Sequence, residues 1–304
     1  MELNDIIQPL SEEFKNIFFI KGQRNGRYPY SHSLLLEDCL IDTGISSKHV
    51  RIVKRNFRIN NVLLSHWHED HISSNRLLKN AKFLSHAKDK PLIEDVNKFI
   101  EYYGLNNTPA EKLLQPIIEG FQIENTKIEK TIEDNEIIEI GDNLRLKVVH
   151  TPGHTAGHCC FYEESTKIAF LADIDLTKFA FYGCIDSNLI DFEESIEKLK
   201  KLEIEIAITG HDKGVCQGAR NIKNELDAYL SIMHKRDERI LQNLSEKKPI
   251  KIEDLMYKNI IYRTYNEIEK EFEYIAEKIM IQKHFDKLLE KDLIEPKDNG
   301  YVLK

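Results

Sequence analysis

The 304 residues, 41% of them hydrophobic, are enough for one large domain plus a small one and exceed what a sizeable core requires. A formal charge of -8 argues against indiscriminate binding to polyanions while leaving room for a local basic groove. No run approaches the roughly 18 uninterrupted apolar residues that span a bilayer, and Met1 to Glu13 lacks the basic start and apolar core of a secretory signal.

The first part of the chain reads as short strands separated by Gly and Asn turns, of which Asn25-Gly26 and Gly141-Asp142-Asn143 are the clearest. An apolar stretch, Leu34 to Leu36 and Cys39 to Ile41, leads into Asp42-Thr43-Gly44. His32 lies just before it and is a candidate for an outer contact; His49, in a polar stretch after it, is expected in solvent. The apolar run Val62 to Leu64 then enters Ser65-His66-Trp67-His68-Glu69-Asp70-His71. In an extended segment His66 and His68 point to one side and can share one ion, whereas Asp70 and His71 are placed for a neighbouring ion. Imidazole and carboxylate together suit zinc, iron or manganese without selecting among them. A helical His-Glu-x-x-His reading starting at His68 fails, because residue 72 is Ile.

Ile72 to Lys79 reads as a short helix. Pro91 to Tyr103 and Pro109 to Gly120 read as two more, each opening at a proline. This insertion either covers a sheet face or walls a cleft, with Tyr102 and Tyr103 nearby. Three buried-strand patterns follow, each ending at or near a ligand-type residue: Leu144 to Val149 before His154 and His158, Ala169 to Ala172 before Asp173, and Ile204 to Ile208 before His211. His86, His150 and His158 are expected to pack or to orient neighbours. The five cysteines, at 39, 159, 160, 184 and 216, have no metal-ligand pair spacing; buried thiols in a reducing cytoplasm are the expectation.

Between Asp173 and a helix over Asp191 to Leu202 lies an aromatic loop, Asp175 to Cys184. Within it Tyr182 is a candidate donor to a substrate oxygen, Lys178 a candidate partner for an anionic group, and Asp175 an outer carboxylate; Phe179 and Phe181 are expected to pack the loop down. Lys213, two residues after His211, is a further candidate for a substrate carboxylate or phosphate. From about Arg220 the chain becomes helical, over Asn224 to Lys247, Ile252 to Met256 and Tyr265 to Leu289. It closes with two apolar segments around Asn299-Gly300, a hairpin signal. His234 and His284 fall in these helices as solvent or packing residues.

His-x-His-x-Asp-His followed by isolated His, Asp and His, in that order, resembles the metallo-β-lactamase superfamily over roughly residues 15 to 220. The resemblance implies an αββα sandwich for residues 1–220, with a small, mainly helical domain at 221–304 ending in a β-hairpin. It also implies that His66, His68 and His154 hold one ion, that Asp70, His71 and His211 hold the other, and that Asp173 bridges both. The implied activity is that of a dinuclear hydrolase with two divalent ions, zinc first and iron or manganese as alternatives. A hydroxide shared between ions ~4 Å apart would attack an ester, thioester or lactone, with Asp70 as the catalytic residue that orients it. Phosphodiester cleavage of single-stranded nucleic acid is one alternative, a one-iron persulfide dioxygenase another, and a metal-stabilised scaffold the non-enzymatic one.

Helices closing in a hairpin resemble a winged helix, as in some relatives similar to glyoxalase II. Acidic residues slightly outnumber basic ones over 225–304, which favours packing or dimerisation over nucleic-acid binding, with closure over the cleft as a variant. The expected partner is therefore a small-molecule substrate, with RNA and a second copy of the chain as further options and no membrane.

Overall fold

The computed structural model describes residues 3–10, 16–265 and 270–304. Its first sheet runs β1 (Ile7–Pro9), β2 (Ile17–Ile20), β3 (Ser33–Leu36), β4 (Cys39–Ile41), β5 (Asn61–Leu63), β6 (Lys82–His86) and β7 (Lys130–Ile132), in that spatial order. Pairing is antiparallel as far as β4 and parallel beyond it. The second sheet contains β8 (Ile137–Ile140), β9 (Leu144–His150), β10 (Cys159–Glu163), β11 (Ile168–Ala172), β12 (Ile206–Thr209) and β13 (Val215–Gln217), in reverse spatial order.

Strand periodicity explains the layering. In β10, Cys159 and Phe161 face the first sheet while Cys160 and Tyr162 face outward; in β11, Ile168 and Phe170 alternate in the same way with Ala169 and Leu171. All of them are buried because both faces are covered, which is why these strands read as unbroken apolar runs. The outer face of the first sheet is covered by α1 (Ser47–Asn56), α2 (Glu69–Ile72), α3 (Lys90–Ile93), α4 (Phe99–Tyr102) and α5 (Glu111–Phe121). The second sheet is covered by α6 (Leu189–Leu199), α7 (Ala219–Asn243), α8 (Ile252–Leu255) and α9 (Lys270–Glu290). The result is the αββα sandwich, closed by the hairpin β14 (Ile294–Lys297) and β15 (Gly300–Leu303). No helix among the described residues is long and apolar enough to cross a membrane.

Several local expectations change. The helix expected from Pro91 to Tyr103 breaks, because Asp95 adopts an extended backbone and caps a new 3-10 turn by accepting from the Asn97 N–H. Ile72 to Lys79 is likewise two short turns, Glu69–Ile72 and a 3-10 turn at Asn75–Leu78. The long last helix is described from Lys270; residues 266–269 of the expected span lie outside the described residues. In the hairpin, Lys297 pairs with Gly300, so the turn residues are Asp298 and Asn299, and Asp298 takes the left-handed conformation at φ 50°. Gly300 is needed for a different reason: a Cβ there would lie 2.8 Å from the Ile250 carbonyl oxygen. His49 is buried on the inner side of α1 with Nδ1 2.8 Å from the Lys21 carbonyl, and is not the solvent residue expected.

The apolar cluster on the outer face of the second sheet is continuous from Val149 through Phe192 and Met233 to Phe285. Residues after 220 therefore complete the core of the sandwich.

Candidate metal centre

The loop after β5 carries the histidine-rich motif. Its chain direction is set by close packing: a Cβ on Gly44 would lie 1.5 Å from the Asp70 carbonyl oxygen, so only glycine lets the loop after β4 press against it. His68 precedes α2, whose first turn holds Glu69 and Asp70. His154 comes from the turn between β9 and β10, Asp173 follows β11 and His211 follows β12. Thus four strand ends feed one locus.

The structure brings all seven expected ligand residues together as two clusters. His66, His68, His154 and Asp173 form one, and Asp70, His71 and His211 the other; within each, the donor atoms lie within 4.8 Å of one another. The two Asp173 oxygens divide between them. Oδ2 is 3.2 Å from His154 Nε2, and Oδ1 is 2.8 Å from His71 Nε2 and 3.4 Å from His211 Nε2.

Hydrogen bonds on the outer ring nitrogens fix which nitrogen faces inward. His154 Nδ1 donates to the Phe181 carbonyl, 2.9 Å, leaving Nε2 bare. Ser65 Oγ donates to Asp42 and accepts from His66 Nδ1, 2.9 Å, so His66 Nε2 is bare as well. His68 turns Nε2 toward Cys184 Sγ and presents Nδ1. Three lone pairs therefore meet with separations of 2.8, 3.1 and 3.2 Å, and no proton is available to bridge them all. Ligands about 2.0–2.1 Å from a tetrahedral ion lie about 3.3–3.4 Å apart, so the spacing and chemistry of this donor set fit a divalent cation. Outer partners of this kind are what orient metal-binding imidazoles.

The second cluster is built alike. His71 Nδ1 donates to Asp42, 2.7 Å, and His211 Nδ1 to the Gly26 carbonyl, 2.7 Å. His211 Nε2 then lies 3.2 Å from His71 Nε2 and 3.3 Å from Asp70 Oδ2.

Electrostatics separate the two clusters. Burial pushes His66 and His68 well below the ordinary imidazole range. Burial also opposes charge on His71 and His211, yet the Asp173 and Asp70 carboxylates raise His71 well above its usual value and hold His211 up to about 10. The same histidines keep the Asp173 carboxyl well below the carboxylate range against its burial. The first cluster therefore presents neutral imidazoles, while the second draws positive charge to His71 and His211 beside the two carboxylates.

A cavity of 590 Å³ opens over the clusters. His68, Asp70, His154, Asp173 and His211 form its floor; Tyr103 to Ile117 supplies one wall, Asp175 to Phe181 another, and Tyr262, Phe272 and Glu273 approach from the C-terminal part. The insertion thus covers the sheet and walls the cleft, and Phe179 and Phe181 do more than pack.

The three expected substrate residues lie elsewhere. Tyr182 is fully buried, with its hydroxyl 2.7 Å from His284 Nε2 and 2.8 Å from Arg236, because the loop turns it toward α7 and α9. Lys178 is exposed outside the cavity lining, and Lys213 pairs with Glu225. His158 sits beneath the site, its Nε2 accepting from the Asp173 N–H, 3.2 Å, which holds that carboxylate's backbone. His86 and His150 stack on each other, 4.0 Å between ring centroids. His32 is buried, its Nδ1 accepting from the Gly22 N–H.

Sequence reasoning missed two contributors. Asp42 is fully buried and accepts from the Ser65 N–H, the Ser65 hydroxyl and His71. Its position at a strand end, like that of Asp173, was the available signal. Glu69 is buried in the lining and accepts from the hydroxyls of Tyr28, 2.9 Å, and Tyr103; burial and Asp70 push its carboxyl up to about 7. Nothing in the local pattern marks a Glu on a short helix as buried.

The family model for the metallo-beta-lactamase superfamily matches residues 37–211, more than half of the chain. An uncharacterized protein of Aquifex aeolicus is 27% identical over 54% of this chain and 72% of that protein. A hydroxyacylglutathione hydrolase of Rhizobium etli is 29% identical over 52% of this chain and 50% of its own length. The chain thus spans about half the length of the hydroxyacylglutathione hydrolase it matches. A beta-lactamase domain protein from Burkholderia ambifaria shares the fold with a TM-score of 0.70 at 14% identity, over 100% of this chain and 95% of that one. The chain belongs to the metallo-beta-lactamase superfamily.

Proposed function

We propose that this chain is a metal-dependent hydrolase that holds two divalent ions, zinc the first expectation, and cleaves an ester, thioester or lactone bond. His66, His68 and His154 would hold one ion, Asp70, His71 and His211 the other, with one oxygen of Asp173 directed to each. The observation that carries the reading is the divided Asp173 carboxylate between two clusters of inward-facing lone pairs. When bound, such ions supply Lewis acidity and a water acidified toward neutrality.

The chain's own residues supply the rest. Outer hydrogen bonds from Asp42, Phe181 and Gly26 hold the imidazoles in one tautomer. Asp70, at the cavity floor beside His211, would orient the attacking water, take its proton and deliver it to the leaving oxygen or sulfur as the bond from that atom to the acyl carbon breaks. The apolar walls lower the local polarity, which strengthens charge interactions at the floor. The name carried by the Rhizobium etli relative supports the thioester option within this class.

The test combines metal analysis of the purified protein with a rate screen over thioesters, lactones, phosphodiesters and short RNA. Two ions per chain and turnover on a carbonyl substrate are expected, together with at least a hundredfold loss in Asp70→Asn at unchanged circular dichroism. Normal turnover by that variant, or a single iron without hydrolysis, refutes the proposal.

A further inference from the structure

The cavity has apolar walls. Leu113, Leu114, Ile117, Phe179, Phe181 and Phe272 line it, and among the described residues no lysine or arginine does. Beyond the ligand candidates, its polar lining consists of the carboxyls of Glu69, Asp175, Asp212 and Glu273 and the hydroxyls of Tyr28, Tyr103, Thr177 and Tyr262. Of the cations adjacent in sequence to lining residues, Arg27 and Lys213 are paired, and Lys112, Lys178 and Arg263 are exposed and outside the lining. Arg27 pairs with Asp212 at 2.7 Å with its side chain 73% exposed, and Lys213 pairs with Glu225.

We infer, resting on the hydrolase reading above, that this site takes an apolar acyl compound with an uncharged leaving group and discriminates against anionic ones, glutathione thioesters and phosphodiesters included. Recognition of carboxylates and phosphates relies on Arg or Lys donors or on backbone N–H groups at a helix start. Here an anionic tail would leave water with no lysine or arginine of the described lining to pair it, beside the carboxyl groups of Asp175 and Glu273. An alkyl chain meets only hydrocarbon along Leu113 to Ile117 and Phe179 to Phe181, where each buried methylene is worth roughly fourfold in affinity. The volume of 590 Å³ suits a medium-length acyl chain rather than a polymer.

Uncleavable thioethers test this. S-hexyl-N-acetylcysteamine and S-hexylglutathione carry the same alkyl chain and the same sulfur and differ in the charged tripeptide. S-hexylglutathione diethyl ester restores the tripeptide bulk without its carboxylates. Calorimetric titration of the metal-loaded full chain is expected to give at least tenfold tighter binding of the neutral thioether than of S-hexylglutathione. The diethyl ester is expected to recover most of that difference, and affinity should rise from S-butyl to S-octyl. Ile117→Lys, at a half-buried wall position, is expected to narrow the gap between neutral and anionic probes about tenfold. Equal or tighter binding of S-hexylglutathione by the unaltered protein overturns the inference, as does a flat chain-length series or no binding of any probe. Because no probe is cleaved, these outcomes are separate from the rate screen, whose failure would sink the hydrolase reading instead.

Discussion

Asp42 offers the sharpest test of how the centre is held. Its carboxylate is fully buried and accepts three hydrogen bonds, from the Ser65 N–H at 2.8 Å, the Ser65 hydroxyl at 2.7 Å and His71 Nδ1 at 2.7 Å. One carboxylate therefore fixes His71 directly and His66 through Ser65, reaching both clusters. In Asp42→Ala three buried donors lose their acceptor, at about 1–3 kcal/mol each, so destabilisation of several kcal/mol is expected. Asp42→Asn keeps the volume and one acceptor oxygen. With the amide oxygen kept on the Ser65 N–H, the amide nitrogen takes the Oδ2 place and can accept from neither His71 nor the Ser65 hydroxyl, at about 1–3 kcal/mol each. Removing such a partner of a metal-binding histidine typically lowers affinity about 10–100-fold, or about 1.4–2.7 kcal/mol, which agrees with the cost at His71. The assay is zinc competition against a chromophoric chelator, with thermal unfolding of the apo protein as the control for folding. Zinc affinity within twofold of the unaltered protein in Asp42→Asn would refute the claim that this carboxylate orients the ligands.

Two further outcomes follow from the packing. Burial, then the neighbouring Asp186, pushes the Asp89 carboxyl up to about 8. Its Oδ2 accepts from the Trp67 N–H at 3.1 Å and the Thr155 hydroxyl at 2.8 Å. As pH rises above about 4 the unfolded chain releases this proton while the folded chain keeps it. Asp89 alone should thus lower stability by about 1.4 kcal/mol per pH unit up to about pH 8. Urea titrations of Asp89→Asn are expected to show a flatter pH profile over that window, and an unchanged slope would count against the assignment. Ending the chain after Arg220 should abolish folding rather than merely alter substrate preference, because Met233, Ile240, Met280, Ile281 and Phe285 are all fully buried in the cluster over the second sheet. Each contributes about 1.5–3 kcal/mol of burial; a truncated protein with a cooperative melt and native circular dichroism would contradict this.

How legible the site was depended on the kind of information each residue carries. His66, His68, Asp70, His71, His154, Asp173 and His211 stood out because soft and charged donors are rare at the ends of apolar strand patterns, and seven of them recur in one order. The strands could be read from local composition, since β10 and β11 are buried on both faces and appear as unbroken apolar runs. The proposed roles of Tyr182, Lys178 and Lys213 had no such support. A side chain's access to a cavity depends on which way a loop is turned, and in this chain α7 and α9, from later in the sequence, draw Tyr182 inward through Arg236 and His284.

By itself the sequence offered the donor candidates at strand ends, which the family resemblance sorted into two sets, and the helical end of the chain, because candidates and helices rest on residue type and short-range periodicity. Only the tertiary structure decided that Asp42 joins the centre, that His49 and Glu69 are buried, and that the C-terminal helices complete both a core and a cavity wall. The physical reason is burial: whether a polar side chain is hidden, paired or facing a ligand is fixed by segments distant in sequence, 23 residues away for Asp42 and Ser65, 34 for Glu69 and Tyr103, and 102 for Tyr182 and His284, and no local pattern encodes it.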